Sequence, residues 1–272
     1  MSLDVLERPE LAPPEPSWKQ RPKAASFLVS LAVAGLVVHT ISNEAVPNPA
    51  ELLDGAGNLW DFLQRAFPPD TDRLVPILEA LLVTFEMALT GTIVGVALSI
   101  PLAVVAARNT TPNRVLYVAS RLLIAFFRTV PDLVWGLLFV IAVGLGPPAG
   151  FLAITVDVIG FCGRFFADAI EEMDDGTLEG LRSTGASRTG VIVGAVLPSC
   201  MPSFVATSMF ALESATRSSV VLGVVGAGGI GVELTTSMQL LRYDEALTIL
   251  LAIFVVVLGV ERASSALRKR IL

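Results

Sequence analysis

Four charged residues stand out because they lie inside long apolar stretches. Arg128 and Asp132 are four positions apart, and so are Glu213 and Arg217. On one continuous helix, each pair shares a face and can neutralise itself. A lone charge in hydrocarbon costs at least about 2.5–3.5 kcal/mol, so each of these groups needs a counter-charge or a water-filled cavity. Two readings of the pairs stand side by side. They are structural ion pairs, or their arginines line the route of an anion, because a planar guanidinium fits two oxygens of an oxyanion at a time. Thr129, Pro131 and Ser218 complete the candidate path. Pro131 leaves the carbonyl of Phe127 without its usual helical donor, and a bend beside an arginine suits a gate. Arg121 and Arg164 also fall within apolar stretches, as do the acids Glu86 and Asp157, and spacing alone does not pair them.

The elements that must hold these charges are apolar blocks. Of the 272 residues, 53% are hydrophobic and only 16% charged, against about 25% charged in an ordinary soluble domain. The blocks fall near residues 25–41, 77–107, 115–145, 151–170, 191–222 and 246–260, most of them long enough to cross a hydrocarbon core of about 30 Å. The expectation is an all-α polytopic membrane protein with six transmembrane helices. This excludes a disordered chain, a disulfide scaffold and a soluble enzyme. A net charge of -6 offers no basic face for nucleic acid. Cys162 and Cys200 read as reduced packing residues, and the single histidine, His39, has no second histidine with which to hold a metal.

The chain divides into a cytoplasmic tail at 1–24, a first transmembrane helix with an outer segment at 25–76, and a core of five spans at 77–272. Within the outer segment, Leu52, Leu53, Leu59, Phe62, Leu63 and Phe67 recur at helical spacing and predict an amphipathic helix at the interface. Gly91 and Gly95 in the second block permit close helix contact. Lys and Arg crowd the N-terminal tail, the 108–114 turn, the 171–188 loop and the C-terminus, whereas the opposite side carries Arg65, Arg73 and Arg242. This bias places both termini and the 171–188 loop in the cytoplasm.

That loop carries the most informative run: Leu178-Glu-Gly-Leu-Arg-Ser-Thr-Gly185-Ala-Ser-Arg, followed by Leu197-Pro198. Thr177 is placed to cap a short helix, Leu178 and Leu181 give it an apolar face, and Gly185 ends it as a left-handed glycine does. Leu197-Pro198 then opens a new span with a bend. Read physically, this is either a plain interfacial loop or a helix on which a cytosolic partner can push.

The run resembles the EAA loop of ABC importer permeases. Glu179 takes the Glu place and Gly185 the Gly place; nine residues follow, then Ala195 and Leu197-Pro198. Gly180 and Leu181 replace the two alanines, and Ala195 replaces isoleucine. The stretch EGLRSTGAS is similar to the form found in phosphonate-type permeases, the PhnE family. Arg128-Thr-Val-Pro-Asp-Leu-Val-Trp135, Val143-Gly-Leu-Gly-Pro147 and Val221-Leu-Gly-Val-Val-Gly-Ala-Gly-Gly-Ile-Gly231 add to the resemblance, which runs from about residue 77 to the end.

The resemblance implies the type I ABC importer permease fold and one half of a permease pair, with itself or with a homologous chain. It implies two ATPase subunits on the cytoplasmic loops and an extracytoplasmic binding protein that delivers phosphonate, phosphate or phosphite. Transport would proceed by alternating access in the cell membrane. Glu179, Gly180, Leu181, Gly185, Ala186, Leu197 and Pro198 fall on the coupling element of that family. This chain would bind no cofactor and catalyse no reaction itself; ATP and Mg would belong to the partner ATPase. No Walker A run occurs in the sequence. Gly226-Ala-Gly-Gly-Ile-Gly231 satisfies G-x-G-x-x-G, but a dinucleotide site needs a preceding strand, and here a membrane span precedes it. Close packing or an outer turn is the expected role. A stand-alone secondary transporter or channel for a small anion is the competing class, although the sequence shows no pair of matching halves.

Overall fold

The computed structural model describes residues 24–42 and 49–271, and every regular element among them is helical. The N-terminal tail lies outside the described residues. Two units divide at residues 61 and 62. The first contains α1 (Ala24–Ser42), whose side chains from 26 to 39 are exposed and mostly apolar, and the start of α2 (Pro49–Ala66). Helix α2 covers the segment expected to be amphipathic.

The second unit is built on α3 (Leu74–Ala106) and α6 (Pro147–Glu171). Glycines bring these two together. A Cβ on Gly91 would lie 2.8 Å from Ile154 Cγ2, and one on Gly95 would lie 2.7 Å from Val158 Cβ. Such small-residue stripes let backbones approach where lipid supplies no hydrophobic drive. Met87, Ile154, Val158, Phe166 and Phe204 fill the core around this contact, and Cys162 and Cys200 are buried free thiols.

Helices α4 (Arg114–Thr129) and α5 (Asp132–Val143) pack on α6. Asn113 caps α4 by accepting the Leu116 amide at 2.8 Å. The stretch 115–145, read as one block from the sequence, is broken: α4 and α5 meet at 90°. Pro131 lacks the amide that would continue the helix and drives Val130 into an extended conformation. Helix α6 begins at Pro147, ahead of the block expected from 151, with proline where the helix needs no donor.

After α7 (Asp175–Ser183), the next span begins at α8 (Arg188–Val191), passes through a π-helical turn at Ile192–Val196, and continues as α9 (Leu197–Val224). It therefore starts before Leu197-Pro198 and does not open there. The Leu197 amide bonds back five residues to the Ile192 carbonyl, which steps the helix past Pro198. After the glycines comes a further helix, α10 (Ile230–Gln239), in a stretch where no apolar block was expected, and then α11 (Tyr243–Ile271). Helices α10 and α11 pack on α9.

Among the described residues, four helices are long and apolar enough to cross a membrane, and the bent α4–α5 pair makes a fifth if it counts as one span. The apolar part of α1, Ser26–His39, is shorter.

Candidate functional site

Helix α7 starts from Asp174, so Thr177 lies inside the helix and does not cap it. The expected stop at Gly185 is present: its φ is +79° and its amide bonds to the Arg182 carbonyl at 3.0 Å. Leu178 is buried and Leu181 packs beside it on the core, while Glu179 and Gly180 are exposed. Ala186 and Leu197 are half-buried, and Pro198 is exposed.

Polar ties fix this helix to the ends of its neighbours. Arg182 Nη2 donates to the Asn109 carbonyl at 3.1 Å, and Arg188 Nε donates to the Thr110 carbonyl at 3.2 Å. Asn109 Nδ2 donates to the Ile170 carbonyl at 2.6 Å, and the Arg108 amide donates to Glu171 at 2.8 Å. The 107–113 turn thereby links α7 to the ends of α3, α4 and α6. A push on α7 is carried into the bundle by hydrogen bonds as well as by the buried Leu178. Arg108 also donates through Nε to the Tyr117 hydroxyl at 3.0 Å, which holds its guanidinium above the usual arginine range.

The two sequence pairs differ. Glu213 and Arg217 lie on one face of α9, with Arg217 Nη1 2.9 Å from Glu213 Oε1. Glu213 is buried, and Arg268 Nη2 of α11 approaches its other oxygen at 3.6 Å. Ser218 is half-buried on the same helix. Arg128 and Asp132, by contrast, fall on opposite sides of the 90° break, which corrects the expectation of a shared face. Asp132 Oδ1 instead accepts the Leu133 amide at 2.8 Å, as an acid in a first helical turn can.

Among the described residues, Arg128 has no hydrogen-bond or ion-pair partner. Its guanidinium rests over the rings of Phe161 and Phe165, at 6.0 Å and 5.7 Å from their centroids. Thr129 beside it is exposed and donates its hydroxyl to the Ala125 carbonyl.

Two carboxylate contacts below Arg128 were not legible from spacing. Arg121 pairs with Asp168 at 2.8 Å and with Glu171 at 2.9 Å, and its Nε donates to the Ala106 carbonyl. Arg164 Nε meets the other oxygen of Asp168 at 2.7 Å. Thus Arg121 and Arg164 take Asp168 and Glu171 as partners, not Glu86 or Asp157. The Arg164/Asp168 spacing of four was visible in the sequence. The antiparallel register that brings Arg121 to α6 was not.

At the opposite end of the bundle, the glycine run forms a turn. Gly226, Gly228 and Gly229 have φ of +93°, +86° and +75°, and the Gly146 amide donates to the Gly226 carbonyl at 2.9 Å. Helices flank this turn on both sides, so it has no strand to make a nucleotide fold. A sequence reading also missed the cluster in which Arg73 pairs with Glu245 and, at 3.4 Å, with Glu233. It joins the start of α3 to α10 and α11.

Comparison with known proteins places this architecture. The model of a family described as "Binding-protein-dependent transport system inner membrane component" matches residues 99–271, and the chain belongs to that family. HtxC of Stutzerimonas stutzeri, a permease protein named for phosphite transport, is 42% identical over 220 residues, covering 80% of this chain and 78% of that protein. The phosphate-import permease protein PhnE of Mycolicibacterium smegmatis is 41% identical over 224 residues, covering 82% of this chain but only 42% of its own length. Among solved structures, a chain of the MetNI methionine ABC transporter in an inward-facing conformation superposes with a TM-score of 0.63 at 21% identity, covering 72% of this chain and 96% of that one. At that identity the likeness speaks for the fold: that of ABC importer permeases.

Proposed function

We propose that this chain is the membrane permease subunit of an ATP-driven importer that carries phosphonate, phosphate or phosphite into the cytoplasm by alternating access. The observation that carries the reading is α7. A short helix with an exposed Glu179–Gly180 surface, ended by a left-handed Gly185 and tied to the ends of three neighbours, has the form of a coupling element. The relatives named for phosphite and phosphate transport support the substrate class.

In this reading α1, the bent pair and the four long helices make six spans, with both termini and α7 in the cytoplasm. Two ATPase subunits bind ATP and Mg, receive α7 and its Glu179, Gly180, Leu181, Gly185, Ala186, Leu197 and Pro198 region, and close on ATP binding. Closure draws the α7 helices of two permease chains together and opens the bundle outward. A separate binding protein presents the oxyanion there, and hydrolysis returns the bundle to its inward form. The glycine turn and the Arg73–Glu233–Glu245 cluster then belong to the outer side, where release from the binding protein occurs.

Reconstitution tests this directly. Proteoliposomes holding the permease and its ATPase take up radiolabelled phosphate or phosphite only when ATP and the binding protein are both supplied. Uptake by the permease alone, driven by an ion gradient, would instead identify a secondary transporter.

A further inference from the structure

Between α4 and α6 runs an open groove of about 440 Å³, lined by Arg121, Arg128, Thr129, Arg164, Phe165 and Asp168. We propose that this groove is a binding station for the transported tetrahedral phosphorus oxyanion, held between Arg128 and Arg164; the assignment rests on the import reading above.

Charge is the first reason. The groove holds three guanidiniums and one carboxylate. Arg121 is spent on Asp168, Glu171 and a backbone carbonyl. Arg164 is tied to Asp168 through Nε, and its two Nη groups have no partner among the described residues. Arg128 makes no hydrogen bond or ion pair among them, and the nearby half-buried Asp157 offsets its charge only from a distance. Two sets of uncommitted guanidinium donors therefore face one space.

Location is the second reason. Arg128 and Arg164 are both exposed, yet they lie within segments apolar enough to span a membrane. Arginines in that position do not face lipid; they face water, a counter-ion or a partner. The third reason is preorganisation. The rings of Phe161 and Phe165 lie against the Arg128 guanidinium and narrow its range without consuming its donors. A fork of free donors suits two oxygens of a tetrahedral anion.

The groove also has a direction. Arg121 and Arg128 are seven residues apart on α4, or about 10 Å along the helix. Arg128 stands beside the break at Pro131, and Arg121 stands at the α7 end, where Asp168 and Glu171 already neutralise it. An anion held by Arg128 and Arg164 meets these carboxylates as it moves toward the cytoplasm, which favours release over retention.

The test uses the complete transporter (permease, ATPase and binding protein) in vesicles of neutral phosphatidylcholine, with inorganic phosphate as the probe. Arg128→Gln and Arg164→Gln each lower the initial uptake rate at least tenfold, with assembled complex recovered at wild-type yield. The double variant Arg164→Gln/Asp168→Asn, which removes that ion pair and leaves Arg121 paired with Glu171, stays equally low. Wild-type uptake in either single variant overturns the proposal, as does recovery in the double variant, which would mark Arg164 as a structural partner of Asp168. A defect confined to vesicles containing phosphatidylglycerol also overturns it, by assigning the groove to a lipid headgroup. If the glutamine variants fail to assemble, the lysine variants decide. Reduced uptake with full assembly supports the station, whereas full recovery of both assembly and uptake marks the arginines as neutralisers of a carboxylate on a second copy. Absence of ATP-dependent uptake in the unmodified transporter would be a different result: a failure of the import reading itself.

Discussion

Glu213 and Arg217 on α9, and Arg128 and Asp132 across the α4–α5 break, look alike in the sequence. Each is an arginine and a carboxylate four positions apart in an apolar stretch. On α9 the helix is continuous, the pair closes at 2.9 Å, and Arg268 adds a second cation to the buried Glu213. At the break the chain turns through 90°, Asp132 turns to its own helix start, and Arg128 is left over two aromatic rings. The spacing rule holds only while the backbone hydrogen-bond ladder is unbroken, and one proline decides which case applies. The first pair is closed, whereas Arg128 makes no hydrogen bond or ion pair among the described residues.

Three measurements sharpen this contrast. The largest expected effect is that of Glu213→Ala. It leaves Arg217 and Arg268 without their shared carboxylate; both guanidiniums keep access to solvent, so the loss is that of a charged hydrogen bond, about 1.5 kcal/mol. A fall of roughly 3–6 °C in apparent Tm in detergent is expected, at about 2–4 °C per kcal/mol for a chain of this size; an unchanged Tm would refute the structural assignment. Next, a double-mutant cycle between Glu213 and Arg217 gives a coupling energy of about 0.5 kcal/mol or more. The same cycle between Arg128 and Asp132 gives the smallest effect, within the roughly 0.3–0.5 kcal/mol scatter of independent sites. Equal couplings in the two cycles would mean that the break does not separate the second pair.

The same physics explains what the sequence made legible. The extent of α2, the small-residue contact of Gly91 and Gly95, and the stop at Gly185 all follow from local rules, and the structure shows each of them. Local rules failed where a non-local partner decided the outcome. Arg121 finds Asp168 and Glu171 only because α4 and α6 run antiparallel in one particular register. Arg268 belongs to a basic C-terminal run by sequence, but α11 continues far enough to bring it to Glu213. Arg73 and Glu245 are 172 positions apart, and nothing in their neighbourhoods announces the pairing. Helix α10 gives little local signal because it is short and follows glycines needed for a left-handed turn. Pro131 signalled a bend, but not that the bend would separate Arg128 from its apparent partner.

Gly185 offers the most direct access to the coupling proposed for α7. A side chain at that position meets nothing within 4 Å in this chain, so the cost within the chain is the left-handed backbone, roughly 1 kcal/mol. Gly185→Asn tolerates that backbone and stays small; Gly185→Arg carries the bulk that a docked ATPase would have to accommodate. The decisive measurement is ATP-dependent phosphate uptake by proteoliposomes containing wild type, Gly185→Asn or Gly185→Arg at equal permease content. The account predicts that uptake is abolished in the arginine variant and largely kept in the asparagine variant. Undiminished uptake with arginine at position 185 would contradict it.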